Sequence, residues 1–148
     1  MLILTVNSKS TIDDIVNDTP SGVNRDYLLN EDSRKRLDVL VCFANKLNEQ
    51  NFVPFIEVKF ASQYSAREKR IEVVGKHNDK IELYKFSATN RFDKDAIELD
   101  RIIRELRNKF ADSKMEFTGT LLVDNNADND FIQQSIKKMN LNVLTKSY

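Results

Sequence analysis

Apolar residues recur along this chain at two spacings, and the switches between them predict its elements. Leu37, Leu40, Val41, Ala44 and Leu47 follow the i, i+3, i+4, i+7, i+10 pattern that lines one helix face, which predicts a helix over Asp32–Gln50. Asp32 or Ser33 suits its N-cap. A second stripe, Ala96, Leu99, Ile103, Leu106 and Phe110, predicts a helix over Asp93–Phe110. A third helix over Asp128–Asn140 carries Phe131, Ile132, Ile136 and Met139, with Asp128 or Asn129 as its cap. Strand patterning appears at Asn51–Phe60, Ile71–Val74 and Lys80–Phe86, the last two joined by a turn over Gly75–Asp79. Pro54 cannot donate to a ladder, so the Asn51–Phe60 strand is expected at an edge or a bulge. Phe117–Val123 has a nearly continuous apolar end, as a buried strand does, and Leu141–Leu144 closes the set. Ala61–Lys69 is polar and reads as a loop.

Residues 1–30 are patterned more weakly. Leu2–Val6 suits a short edge strand, Ser10–Asp13 opens one helical turn carrying Ile12, Ile15 and Val16, and Val23–Leu29 reads as another short helix after the break at Thr19-Pro20-Ser21-Gly22. This stretch is expected to be an N-terminal arm or packing segment, with residues 31–148 as a single α/β domain. Strands followed by crossover helices predict a three-layer architecture, a mixed sheet flanked by helices on both faces.

Composition narrows the chemistry. Lys plus Arg equals Asp plus Glu at 23 each, so the net charge is zero, which is unlike most free-standing nucleic-acid-binding domains. It gives little protection from self-association, so a protein partner or homo-oligomer is expected. With 41% hydrophobic and 31% charged residues, a packed core is expected rather than disorder. A single cysteine, Cys42, excludes an internal disulfide, and a single histidine, His77, excludes a multi-histidine metal site. Three glycines argue against a Gly-rich phosphate loop. No secretory signal or membrane-length apolar run is evident, so no membrane is expected and the compartment is read as intracellular, cytoplasmic or nuclear.

The order helix, strand, hairpin, helix, strand, helix, strand over roughly residues 32–145 resembles the restriction-endonuclease-like fold of the PD-(D/E)XK nucleases, most closely the Mrr-type branch. The resemblance implies an acid on the first hairpin arm and an acid-x-lysine triplet on the second. The first falls on Glu72, within Ile71-Glu72-Val73-Val74, and the second on Leu83-Tyr84-Lys85. Such sites hold magnesium (Mg) on converging carboxylates, generate hydroxide and neutralise charge on the phosphate. Residues i and i+2 of a strand share a face, so acid-x-lysine aims both groups at one point. Leu83 stands where the second acid belongs. The resemblance therefore implies Glu72 and Lys85 as catalytic positions, Glu72 as the metal ligand, and a core that has lost its metal site and binds no cofactor. Glu57-Val58-Lys59 is itself an acid-x-lysine triplet and gives an alternative site, with Asp38 or Asp13 and Asp14 as upstream acids. The competing interpretation makes Glu57 and Lys59 the solvated face of a strand, and Glu72 an exposed residue alternating with Ile71 and Val73.

Two basic clusters, Arg34-Lys35-Arg36 and Arg67-Glu68-Lys69-Arg70, are candidates for phosphate contact, and Tyr64 for base stacking; interleaved acids also fit solvated surface. His77 is expected on a turn surface, and Cys42 as a partly buried structural thiol. Two functions follow from the resemblance, and without it the chain reads as another small α/β binding protein. The first is a non-catalytic nuclease-like module that acts as an interaction or scaffold subunit, with nucleic acid as a partner of the complex. The second is an active Mg-dependent nuclease cleaving DNA or RNA through Glu72 with Lys85, or Glu57 with Lys59, helped by an acid such as Glu98.

Overall fold

Among the described residues, seven strands and four helices make an α/β protein with mixed strand pairing. The computed structural model describes residues 2–19, 22–29, 35–63, 67–87, 91–124 and 127–147. It divides into two compact units, Met1–Ile81 and Glu82–Tyr148.

The first unit contains β1 (Leu2–Ser8), α1 (Ile12–Val16), β2 (Val23–Leu29), α2 (Lys35–Glu49), β3 (Val53–Ala61) and β4 (Glu68–His77), and the start of β5 (Lys80–Phe86). Its hydrogen-bonded order is β2-β1-β3-β4. β1 runs antiparallel to β2 over seven residue pairs and parallel to β3 at Asn7↔Phe55 and Ser8↔Ile56. β3 is antiparallel to β4.

β1, α1 and β2 thus pack as part of this unit. β1 is an interior strand, not the edge strand expected. Val23–Leu29 is a strand, not the short helix expected, because pairing with β1 along its whole length supplies the hydrogen bonds that a local helix would have made. α1 matches its reading: Thr11 accepts from the Asp14 amide at 3.2 Å as N-cap, and Ile12, Ile15 and Val16 are buried.

β3 also lies inside the sheet, not at an edge. Pro54 is tolerated because pairing to β1 starts only at Phe55, so no ladder bond on that side asks for the missing N–H. β4 reaches further than Ile71–Val74, taking in Glu68 and Lys69 from the expected loop, Arg70 beside it, and Gly75–His77 from the expected turn. Asn78 and Asp79 remain as the turn, with Asn78 at φ 53°. A Cβ on Gly75 would lie 3.1 Å from Leu47 Cδ1, so α2 presses on the Ile71, Val73 and Gly75 face of β4. Lys76 points from the opposite face and bonds to the end of α1. β4 is therefore covered by helices on both sides.

The second unit holds the rest of β5, α3 (Phe92–Lys109), β6 (Glu116–Val123), α4 (Asn129–Lys138) and β7 (Leu144–Ser147), with strand order β5-β6-β7. The stripe of α3 is buried as its spacing predicts, at Ala96, Leu99, Ile103 and Leu106, with Ile102 added. Gly119 of β6 explains the close helix: a Cβ there would meet Leu99 at 3.0 Å and Ile103 at 3.2 Å. Asp128 caps α4 by accepting from the Phe131 amide at 3.1 Å. β7 begins at Leu144, later than the expected Leu141–Leu144, and pairs in parallel with Thr120–Val123. Gln133 Oε1 fastens it to α4, accepting from the Thr145 amide at 3.0 Å and its hydroxyl at 2.8 Å. The buried carboxylate of Asp100 accepts from the Asn142 amide at 3.1 Å and pairs with Arg104 at 2.8 Å. No helix of the described residues is long and apolar enough to cross a membrane.

Candidate functional site

The first unit brings two of the sequence candidates together. The register Ile56↔Val73 and Val58↔Ile71 puts Glu57 of β3 across from Glu72 of β4. Glu72 is only 6% exposed, which removes its reading as an exposed alternating residue: β4 is covered on both faces, so alternation does not carry its side chains to water. Glu57 is half-buried and takes φ 55°, a left-handed value rare for a non-glycine inside a strand. On the other side of β3, Lys9 takes φ 61°. The parallel pairs Ser8↔Ile56 and Thr11↔Lys59 bracket Lys9 and Glu57, so both strands leave extended geometry at the same level.

Lys59 does not form a closed site with Glu57. Its side chain is 46% exposed and pairs with Glu68 at 3.6 Å, which matches a solvated strand face. Asp13 and Asp14 lie in the first turn of α1, where they suit the helix dipole. Asp38 lies in α2, and its side chain is outside the described residues.

Sequence reasoning missed Lys76, which it placed in a solvated turn. Its ammonium is buried and donates to Ile15 O at 2.9 Å, Val16 O at 3.4 Å and Asp18 Oδ1 at 2.5 Å. These carbonyls close α1, so the Lys76 ammonium caps the C-terminal end of that helix. A lysine beside a glycine gives no sequence signal for this role, because the role depends on β4 extending to His77.

Glu72 belongs to the first unit and Lys85 to the second. Within the second unit Lys85 is half-buried, and Leu83, on the same side of β5 by alternation, is fully buried. Leu83 is therefore core, an aliphatic group at the position where the resemblance would put a metal-binding acid. Glu82 and Tyr84 take the other side, and the Tyr84 hydroxyl donates to Glu82 Oε2. Burial first, and then the hydrogen bond and charge of Glu82, hold the Tyr84 phenol well above the ordinary tyrosine range. Glu98 is half-buried on α3.

Among the described residues, no three His, Cys, Asp or Glu side chains gather as metal ligands. The donor set does not fit the magnesium site that the resemblance implies, since an aliphatic residue stands at one ligand position.

The basic clusters divide. Arg67 and Arg70 are exposed and Lys69 is half-buried; Lys69 and Arg70 are on β4 rather than in a loop, paired in register with Phe60 and Lys59. Arg34 and Tyr64 lie outside the described residues, as do the side chains of Lys35 and Arg36 on α2. His77 Nδ1 is 2.8 Å from Asn51 O, and its ring lies against Phe52 at 5.4 Å. Cys42 is exposed on α2, not partly buried as expected, because Val41 and Ala44 occupy the inward positions around it.

Neither a protein-family model nor a curated protein matches this sequence. A solved structure described as a protein of unknown function, AF1548, is similar at 12% identity with a TM-score of 0.47, over 72% of this chain and 54% of that one. The chain thus spans about half the length of that structure.

Proposed function

We propose that this protein is a non-catalytic, restriction-endonuclease-like module that acts as an interaction or scaffold subunit within a nucleic-acid-handling complex. The observation that carries this reading is Leu83: the position that would bear the second metal-binding acid holds a fully buried leucine. A carboxylate there would have to be desolvated without the pairing that an ion supplies, so the site is not restored by a rotamer change. Zero net charge fits a subunit that takes its nucleic-acid affinity from partners rather than from its own field.

A second reading, an active Mg-dependent nuclease, draws on one specific observation: Glu57 lies at the level of Glu72 in the β3–β4 register and takes a left-handed backbone. It also predicts phosphate contacts at Arg67, Lys69 and Arg70. The two readings separate in one experiment, calorimetric titration of Mg²⁺ and Mn²⁺ into wild type and Glu72→Ala, with cleavage of generic DNA and RNA followed alongside. The interaction reading expects neither saturable metal binding nor cleavage. Cleavage abolished by Glu72→Ala or Lys85→Ala would overturn it.

A further inference from the structure

We propose that β2 is an edge at which a second copy of this protein adds in antiparallel fashion; this rests on the interaction reading above and names its surface. β2 is the last strand in the hydrogen-bonded order of its unit, so among the described residues nothing pairs with its outer side. Val23 is 53% exposed, and Asn24, Arg25 and Asp26 are exposed as well. Successive strand residues point to opposite faces, so four exposed residues in a row mean that neither face of this stretch is covered. Edges are normally blocked by charged side chains, lysine above all, by proline, by a bulge or by a covering element. Val23–Leu29 carries Arg25 and Asp26 but no proline or lysine, and its seven-pair register with β1 is unbroken.

The side chains favour a copy of the same strand. A two-fold axis between antiparallel strands keeps facing residues on one side of the sheet, so it must centre on a residue. Centred on Arg25, the pairing sets Asn24 against the partner subunit's Asp26, and Val23 against the partner subunit's Tyr27, each twice. Amide to carboxylate and aliphatic to aromatic are both favourable cross-strand pairs. This register also sets Arg25 against its own copy, and these long like charges can diverge into solvent. Centred on Asp26, two short carboxylates would face each other with no such freedom. In the Arg25 register Asp26 Oδ1 accepts from Thr5 Oγ1 at 2.5 Å, which leaves its second oxygen for Asn24 of the partner subunit. The Arg25 centre is therefore preferred. A single added strand covers less than the roughly 800 Å² per partner typical of stable complexes, so the association is expected to be weak and concentration-dependent.

The test is sedimentation equilibrium of the full-length protein from micromolar to roughly millimolar concentration, for wild type, Asn24→Asp and Asn24→Lys. Asn24 is exposed, and circular dichroism checks that each variant keeps the fold. Asn24→Asp sets like charges opposite each other twice and should raise the dissociation constant about tenfold or more; Asn24→Lys sets opposite charges there and should lower it. A wild-type protein that stays monomeric throughout overturns the proposal. So does an association that both variants leave unchanged, since the contact would then lie elsewhere. A monomer that binds a different protein sinks the second-copy proposal but leaves the interaction reading intact. Metal-dependent cleavage sinks that reading whatever the mass.

Discussion

Replacing Lys76 by methionine tests whether a buried charge on β4 holds α1 in place. The ammonium makes three contacts of unequal value. Asp18 is 82% exposed on its side chain, so its ion pair with Lys76 is screened by water and contributes below about 1 kcal/mol. The contacts with Ile15 O and Val16 O are buried, and hydrogen bonds from a charged donor contribute about 1.5–3 kcal/mol each before overlap between them is allowed for. Methionine keeps most of the aliphatic stem but leaves the last carbonyls of α1 without this donor. The net loss is expected to be about 2–4 kcal/mol. Asp18→Asn, which removes only the exposed partner's charge, should lose about 1 kcal/mol or less. Urea unfolding of the three proteins, followed by far-ultraviolet circular dichroism, measures both. A loss below about 1 kcal/mol for Lys76→Met, or equal losses for the two variants, would refute the idea that the carbonyl contacts dominate.

Other expectations follow from single features. The raised pKa of Tyr84 means that its proton is held more tightly folded than unfolded, so its stabilisation is complete below the ordinary tyrosine value near pH 10 and is lost as pH rises beyond it; urea midpoints between about pH 8 and 11 should fall more steeply for wild type than for Tyr84→Phe. Gly119→Val should destabilise the second unit by about 1–3 kcal/mol or more, because a Cβ already crowds Leu99 and Ile103; thermal unfolding measures this, and an unchanged midpoint would contradict the packing. Asp128→Ala should lose about 1 kcal/mol through the α4 cap, with Asp128→Asn retaining most of it in the same denaturation assay.

The second unit was largely legible in the sequence, because α3, β6 and α4 each bury one face or one run against neighbours close in sequence, which gives the strongest periodic signals. The first unit was less so. β2 has no periodic signature because its exposed stretch buries neither face, and its strand state comes from a partner, β1, that local pattern cannot name. Pro54 misled because its effect depends on where the β1 pairing starts. At the candidate site, the identities of Glu57, Glu72 and Leu83 could be read directly. That Glu57 lies level with Glu72 required the register of two strands, and the burial of Glu72 required knowing that helices cover both faces of β4.

The placement of β1 also orders events during synthesis. Its antiparallel partner β2 emerges soon after it, but its parallel partner β3 appears only after α2 has been made. Joining Asn7 to Phe55 closes a long loop, and closure entropy makes such non-local pairings slow. Until β3 leaves the ribosome, the β1–β2 ribbon has two open edges rather than one. That interval is when a chaperone, or a neighbouring nascent polypeptide, has most access to it.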